Sequence, residues 1–345
     1  SFVLSLGADF RLLSHSSTAL KSKKPVISIC AVRTGCGKSQ TTRKVCEILK
    51  SLGIKFTVIR HPMPYGDLKK QAVQRFSSYK DLKKHECTIE EREEYEPHIE
   101  KGNVVYAGVD YGRILKRAEK ESDVIVWDGG NNDFSFLCSD LYIVVTDPHR
   151  AGHEMDYHPG GANLRIADVV VINKEDTALK EDIEKVRNNI KKINQKAVII
   201  DANSPVFLED PEKVRDKKVL VIEDGPTLTH GGMSFGAGYV AAKSFTKKIV
   251  DPRPYAEGSI KKTFEKYRHL KEVLPAMGYN LTQIKELENT INKADCDAVV
   301  IGTPIDLTRF IKINKPHTRV FYELEEKGKL KKEIKKLLKK KKLIK

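Results

Sequence analysis

Short apolar runs alternate with amphipathic stretches along most of the chain. Nine runs of five to seven residues are rich in Val and Ile and end at charged residues, Gly or Pro, a pattern typical of buried strands. They span residues 26–32, 55–60, 123–127, 141–146, 168–172, 197–201, 218–222, 298–302 and 318–323. Apolar positions recur at helical spacing in residues 39–52, 68–80, 111–121 and 179–194. This alternation predicts an α/β fold with a doubly wound, mostly parallel sheet.

The first predicted strand leads into a phosphate-binding loop. Residues 31–42 read AVRTGCGKSQTT, and Gly37-Lys38-Ser39 between a strand and a helix matches the end of a P-loop. Val32 stands where the common P-loop pattern, G-x-x-x-x-G-K-[ST], has its first glycine. Lys38 is predicted to contact the β- and γ-phosphates, and the Ser39 hydroxyl to hold Mg²⁺. The predicted nucleotide-binding residues of this loop are Thr34, Gly35, Cys36, Gly37, Lys38, Ser39 and Gln40.

Two further residues are predicted to act with Lys38 in catalysis. Arg33 precedes Lys38 by five residues, as a second lysine does in the MinD-like branch of P-loop proteins. Asp128 ends the strand in VIVWDGG, where an acidic residue can hold Mg²⁺ or polarise a nucleophile. Ser39 and Asp128 are therefore the predicted metal ligands.

A base-reading motif follows the strand at 168–172. Asn173-Lys174-Glu175-Asp176 matches the N-K-x-D pattern with which G proteins read guanine. Related P-loop enzymes use the Asn to contact adenine, so the residues leave the base open. We expect ATP to be the nucleotide, with contacts from Asn173, Lys174 and Asp176.

Basic side chains cluster after two strands. His149, Arg150, His153 and His158 follow the strand at 141–146, and Arg60, His61 and Tyr65 follow the strand at 55–60. Because carboxyl ends of parallel strands meet at one edge of a sheet, these side chains are predicted to bind a polyanionic substrate there. A zinc site is disfavoured, since neither Cys nor an H-E-x-x-H helix accompanies the histidines. The glycine-rich residues 223–242 are predicted to form a second phosphate-facing loop.

Charge is concentrated at the end of the chain. Of a net charge of +15, residues 327–345 carry eleven Lys against one Glu. We interpret this tail as a solvated, fraying helix end, and nucleic acid is not the expected partner. The six cysteines show no C-x-x-C pair, which indicates free thiols in the cytoplasm. No apolar run reaches the roughly 18–20 residues of a membrane span, so no membrane partner is expected.

The predicted organisation has four parts. Residues 1–24 are a linker or remnant of an upstream domain, and residues 25–250 form the P-loop domain, with the charged residues 81–101 as a surface insertion. Residues 251–326 form a C-terminal α/β extension that returns to the sheet, followed by the tail at 327–345. The oligomeric state stays open, with a homodimer as one option.

Five long motifs resemble one family. CAVRTGCGKSQTTRKV, RHPMPYGDL, VIVWDGGNNDFSF, VTDPHRAGHE and EDGPTLTHGGMSFGAGYVAA are similar, in this order, to the archaeal cyclic 2,3-diphosphoglycerate synthetases. The resemblance covers roughly residues 20–325. It implies an ATP-dependent ligase that uses Mg²⁺, closes the two phosphates of 2,3-diphosphoglycerate into a cyclic pyrophosphate, and releases ADP and phosphate. Family members usually carry a further domain upstream of the P-loop, and we expect this chain to start near the end of that domain. The Lys tail has no counterpart in the family.

Two other functions remain as alternatives. The NKED motif is compatible with a GTPase switch or assembly factor, which would prefer guanine and hydrolyse GTP without a small-molecule acceptor. The second alternative is an ATP-binding protein associated with nucleic acid, and the Lys-rich tail is the one feature of the sequence that favours it.

Overall fold

The computed structural model describes residues 2–61, 63, 66–129, 133–278 and 280–345. Its strands, numbered along the chain, are Val26–Ala31 (β1), Phe56–Arg60 (β2), Gln74–Phe76 (β3), Val105–Ala107 (β4), Val124–Asp128 (β5), Leu141–Thr146 (β6), Val169–Ile172 (β7), Val198–Asn203 (β8), Val206–Leu208 (β9), Val219–Asp224 (β10), Leu274–Ala276 (β11), Ala298–Gly302 (β12), His317–Tyr322 (β13) and Glu325–Glu326 (β14).

These strands form two sheets. The larger has the order β14-β8-β7-β6-β1-β5-β2-β4-β3, and the smaller has the order β11-β10-β12-β13-β9. Pairing is parallel except at β3, β14 and β9, which lie antiparallel to their neighbours at sheet edges. Each sheet has its own hydrophobic core. We call the part built on the larger sheet the first unit and the part built on the smaller sheet the second unit.

Helices connect the strands. They are Phe2–Ser5 (α1), His15–Thr18 (α2), Lys38–Ser51 (α3), Tyr79–Lys84 (α4), Ile89–Glu100 (α5), Tyr111–Glu121 (α6), His153–Asp156 (α7), Gly160–Ile166 (α8), Lys180–Ile193 (α9), Gly225–Leu228 (α10), Ala237–Lys243 (α11), Gly258–Lys266 (α12), Leu281–Lys293 (α13) and Lys329–Lys340 (α14). Every residue of β1, β5 and β6 is buried, as expected for central strands of a parallel sheet covered on both faces. No described helix combines the length and the apolar character needed to cross a bilayer.

The predicted fold class is confirmed. All nine predicted strands are present within two residues of their predicted bounds, as are the helices predicted at 39–52, 111–121 and 179–194. The helix predicted at 68–80 is wrong, because residues 74–76 form β3 and pair with β4. Pairing with a distant strand outweighs the local helical spacing there.

The predicted domain boundary at residue 250 does not match the sheets. Strands β9 and β10 already belong to the second unit, and β11, β12 and β13 extend that sheet instead of returning to the first. Only β14 and α14 return to the first unit. An apolar run identifies a strand but not the sheet it joins, which depends on its pairing partner.

The charged stretch 81–101 is not a surface insertion. Helix α5 lies between the two units, with Tyr95 in the first core and Ile89 in the second. Thr88 begins the helix through a capping box with Glu91. Glu93 and His98 are also buried. Glu93 shares a hydrogen bond with Asp224 of the second unit, and His98 Nε2 lies 3.3 Å from Asp128 of the first. The local sequence does not reveal those partners.

The Lys-rich tail is not a fraying, solvated end. Helix α14 buries an apolar stripe in the first core, against α3. The stripe consists of Leu330, Ile334, Leu337 and Leu338. Its spacing of three to four residues places these side chains on one helix face and leaves most lysines exposed on the other.

Candidate functional site

The P-loop connects β1 to α3. Gly35 and Gly37 have φ values of 82° and 102°, the left-handed region that glycine adopts without strain. A Cβ at Gly37 would overlap the side-chain amides of Asn173 and Gln40. The loop is therefore compact and ends at the N-terminus of a 14-residue helix, whose N–H groups favour an anion.

A cavity of about 330 Å³ lies between the P-loop and the second unit. This volume is in the range of small-molecule sites. Several of the predicted site residues line it: Thr34, Gly35, Gly37, Lys38, Ser39, Gln40, Arg60, His61, Asp128, His149 and Lys174. The structure thus brings most of the P-loop residues and Asp128 to one cavity.

Asp128 is the centre of a buried polar cluster. Its carboxylate accepts hydrogen bonds from Lys38 Nζ (2.6 Å), Thr42 Oγ1 (2.9 Å) and Arg60 NH1 (2.7 Å). His98 Nε2 lies 3.3 Å from the same group. Burial alone would raise the pKa of Asp128, but Arg60 and Lys38 hold it well below its usual range. Asp128 is therefore a carboxylate at neutral pH.

These residues are compatible with Mg²⁺. Ser39 and Asp128 both face the cavity and offer the hard oxygen atoms that Mg²⁺ prefers. Among the described residues, no group of three His, Cys, Asp or Glu side chains is arranged to hold a metal. A Mg²⁺ ion at this place would need phosphate oxygens and water to complete its coordination, as is usual at nucleotide sites.

Asn173 and Lys174 brace the P-loop. Asn173 Nδ2 donates to the Cys36 carbonyl (2.9 Å), and Lys174 Nζ donates to the Gly35 carbonyl (2.6 Å). Lys174 also lies 3.2 Å from the buried Asp147. Asp176 is exposed and accepts from the backbone N–H of Ser204. Neither Asn173 nor Asp176 is among the described residues that line the cavity, so base reading by NKED stays a prediction.

We expect Asn173→Ala to weaken ATP binding about tenfold, because one hydrogen bond that shapes the P-loop is lost, worth roughly 0.5–1.5 kcal/mol. Isothermal titration calorimetry with ATP measures this effect. Asn292→Ala is the matched control, since its amide also donates to a backbone carbonyl, that of Lys312 in the second unit. Equal weakening by both variants would contradict the bracing role.

The structure does not bring all the predicted substrate-binding residues together in one cluster. Arg150 donates to Gly231 O (2.7 Å) and to Asp147 (2.8 Å), which commits its guanidinium to the protein. His158 is exposed, with its ring 6.1 Å from that of Phe134. Of the predicted substrate-binding residues, the cavity is lined by Arg60, His61 and His149, not by Arg150, His153 and His158, and Tyr65 lies outside the described residues.

Arg33 is not among the described residues that line the cavity. Its guanidinium stacks 3.9 Å from the centre of the Tyr157 ring, lies 3.2 Å from His153 Nδ1, and donates to His230 O. These contacts hold it beside the loop around α7, and it is absent from the described cavity lining. The ligand-free geometry therefore does not support the predicted catalytic role of Arg33.

The glycine-rich segment binds a carboxyl group of the protein itself. The Glu223 carboxylate accepts hydrogen bonds from the backbone N–H groups of Gly236 (3.1 Å), Gly238 (3.2 Å) and Tyr239 (2.7 Å). Burial raises the pKa of Glu223 to about 8, against the opposing effect of these donors. The prediction of a second phosphate-facing loop is wrong, because Glu223 occupies the N–H groups that a phosphate would need.

Sequence reasoning missed an acidic wall opposite the P-loop. It consists of Glu90, Glu93, Glu94, Glu223 and Asp224, all of which line the cavity. The first three come from α5 and the last two from the end of β10. The capping box at Thr88 was the available signal for an ordered helix here, but nothing local showed that its charged face is buried.

The fold and this cavity define a P-loop nucleotide-binding α/β protein. The model of the CobW/HypB/UreG nucleotide-binding domain matches residues 122–201. LpxK from Aquifex aeolicus, solved in its "apo" form in complex with ATP, aligns with a TM-score of 0.54 and 15% identity over 94% of this chain and 92% of that one. At this identity the likeness concerns the fold alone.

Sequence comparison identifies the family. Arginine synthetase ArcE of Thermococcus kodakarensis is 65% identical over 325 residues, 94% of this chain and 72% of that protein. The chain therefore belongs to the arginine synthetase ArcE family. The cyclic 2,3-diphosphoglycerate synthetase of Thermococcus sibiricus is 30% identical over 114 residues, 32% of this chain and 26% of that protein. Both relatives are named synthetases, which supports a ligase-type enzyme, but the predicted family is matched over a limited stretch only.

Proposed function

We propose that this protein is an ATP-dependent ligase that forms the guanidinium group of arginine. The observation that carries the proposal is the cavity itself, where the P-loop faces a wall of carboxyl groups from α5 and β10. The name of the 65% identical relative supports the same reaction.

The P-loop side of the cavity and the acidic wall opposite it suit substrates of opposite charge. ATP phosphates fit the P-loop, with Lys38 and the N-terminus of α3. A substrate bearing several phosphates would also meet the Glu93 and Asp224 carboxyls, which line the same cavity. Two like charges about 5 Å apart cost roughly 3 kcal/mol at an effective dielectric near 20. An amino acid with a cationic or N–H-rich end meets attraction at this wall instead.

The proposed chemistry has two steps. The ureido oxygen of a ureido amino acid attacks the γ-phosphorus of ATP and ADP leaves, which gives a carbon bearing a phosphate as leaving group. Ammonia then forms a C–N bond at this carbon, the C–O bond breaks, and hydrogen phosphate leaves with one proton of the ammonia. The chain contributes mainly positioning and charge, as in other phosphoryl transfers.

Individual residues have distinct parts in this scheme. Lys38 leaves its contact with Asp128 to stabilise charge on the transferring phosphoryl group. Ser39 and Asp128 would hold Mg²⁺, which neutralises phosphate charge when bound. Arg60 stays paired with Asp128 and Glu94, and so orients both carboxylates.

Cyclisation of 2,3-diphosphoglycerate is the second candidate. Arg60 and His61 at the cavity favour it, as does the partial match to a synthetase of that name. It ranks second because Arg60 is already neutralised by two carboxylates and His61 lies 2.8 Å from Asp133. Little positive charge is left for a second polyanion.

The test supplies the protein with ATP, Mg²⁺ and one acceptor at a time. With citrulline and ammonium chloride we expect arginine, ADP and phosphate in equal amounts, followed by mass spectrometry and phosphorus NMR. With 2,3-diphosphoglycerate we expect no product. A cyclic pyrophosphate signal, or nucleotide hydrolysis that neither acceptor changes, would overturn the proposal in favour of the cyclising ligase or the GTPase switch.

A further inference from the structure

We propose that Glu93 and Asp224 together form the subsite that binds a planar guanidinium group. The inference rests on the proposed function in that it places the substrate in the cavity beside the P-loop. It goes further by assigning the cation to two specific carboxyls, one on α5 and one at the end of β10.

The first observation is an unpartnered buried oxygen. Glu93 is 7% exposed, lines the cavity, and its Oε1 atom has no hydrogen-bond partner among the described residues. Asp224 lines the same cavity, and its Oδ2 atom accepts from the backbone N–H and the hydroxyl of Thr227. The two carboxyls also share a hydrogen bond, which places them side by side at the cavity.

The second observation is that the two carboxyls have no positively charged partner among the described residues. Across the described parts of the chain, no Lys, Arg or His forms an ion pair with Glu93, Glu223 or Asp224. Other acids of α5 are neutralised within the protein, Glu94 by Arg60 and Glu96 by Arg92 at 3.0 Å. Unpaired buried carboxylates are costly, so proteins pair them or protonate them. The Glu93–Asp224 pair, which shares one proton between two carboxyls, therefore has negative charge to offer a ligand.

The raised pKa values of the two carboxyls agree with a site that lacks a cation in the free protein. Burial, with Asp224 beside it, raises the pKa of Glu93 well above its usual range, and burial also raises the pKa of Asp224. In the free protein one shared proton takes the place of a cation, as in other close carboxyl pairs. A bound cation would take over that role.

An organic cation fits better than a metal ion. No three described His, Cys, Asp or Glu side chains are arranged as a metal site. A guanidinium presents five N–H donors in a plane, which suits two carboxyls that approach from different elements. Tyr322 and Phe235 offer aromatic faces for stacking, and Val206, Met233 and Val240 offer apolar contacts for an aliphatic stem.

The experiment measures binding without turnover. Isothermal titration calorimetry of the full chain uses arginine, then agmatine, which keeps the guanidinium but has no carboxylate. We expect Glu93→Gln and Asp224→Asn each to weaken both ligands at least tenfold and to change ATP affinity less than twofold. Both replacements keep the side-chain shape and remove buried charge, so Tm should not fall. Glu93→Asp, which keeps the charge but shortens the side chain, should bind with intermediate affinity.

The control is Glu100→Gln, on the same helix but exposed, where the carboxylate contacts Tyr79 and Arg309. It should bind arginine as the wild type does. Unchanged arginine affinity in both pair variants, or a wild type that binds Mg²⁺ there and not arginine, would overturn the inference. Arginine synthesis by the wild type together with unchanged binding by the variants would reject this subsite alone. Guanidinium binding that depends on Glu93 without any arginine synthesis would reject the proposed function alone.

Discussion

Replacing Lys38 with Ala should lower ATP-dependent turnover by a factor of about 100 or more, because loss of one positioned donor to a developing charge costs on the order of 2.7–4 kcal/mol. Lys38 lines the cavity, and among the described residues its Nζ atom donates to Asp128, a contact that it can exchange for a phosphate. The fold should survive, since Asp128 keeps its contacts with Arg60 and Thr42. Coupled measurement of ADP release tests the rate, and circular dichroism tests the fold.

The matched control for Lys38→Ala is Lys50→Ala, an exposed lysine on the same helix whose ammonium group contacts the Lys101 carbonyl. It should turn over at the wild-type rate. A Lys38→Ala protein that keeps most of its activity would place the phosphate site elsewhere, and the proposed reaction with it.

Deleting residues 327–345 should unfold or strongly destabilise the protein. The four buried residues of α14 each contribute roughly 1.5–3 kcal/mol by leaving water, and a typical protein has a net stability of only about 5–15 kcal/mol. The single change Leu338→Ala should already cost about 2–5 kcal/mol. Urea denaturation followed by tryptophan fluorescence measures both, since Trp127 lies in the same core.

Lys336→Ala tests whether the charge of α14 matters. Lys336 is exposed and forms a contact of 3.6 Å with Glu333, so its removal should change stability by less than about 1 kcal/mol. A truncated chain that melts like the full chain would show that α14 does not stabilise the first unit. The interpretation of the tail as a solvated end would then be restored.

Local sequence was sufficient wherever a feature depends on neighbouring residues. Both faces of a parallel sheet are covered, so nearly every position of a central strand is apolar. A run of apolar residues in the sequence shows this directly. The P-loop is equally local, since Gly35, Gly37, Lys38 and Ser39 lie on one turn between a strand and a helix. The helix at 111–121 was predicted to the residue because its apolar spacing is uninterrupted.

Features that depend on distant partners were misjudged. Arg150 and His158 share a loop, but one is held by Asp147 and Gly231 while the other is exposed away from the cavity. The glycines near residue 236 match an anion-binding loop, but the group that their N–H donors bind is the carboxyl of Glu223, thirteen residues earlier in the chain. Spacing showed which groups can bind an anion but not which anion reaches them.

The sequence by itself thus determined the class of fold and the P-loop between β1 and α3. Only the tertiary structure decided what faces that site. Helix α5 looks solvated because most of its side chains are charged, yet it lies between the units with Glu93 at the cavity and Glu94 paired with Arg60. The free energy of a buried charge depends on the atoms around it in space, and those atoms come from elements far apart along the chain.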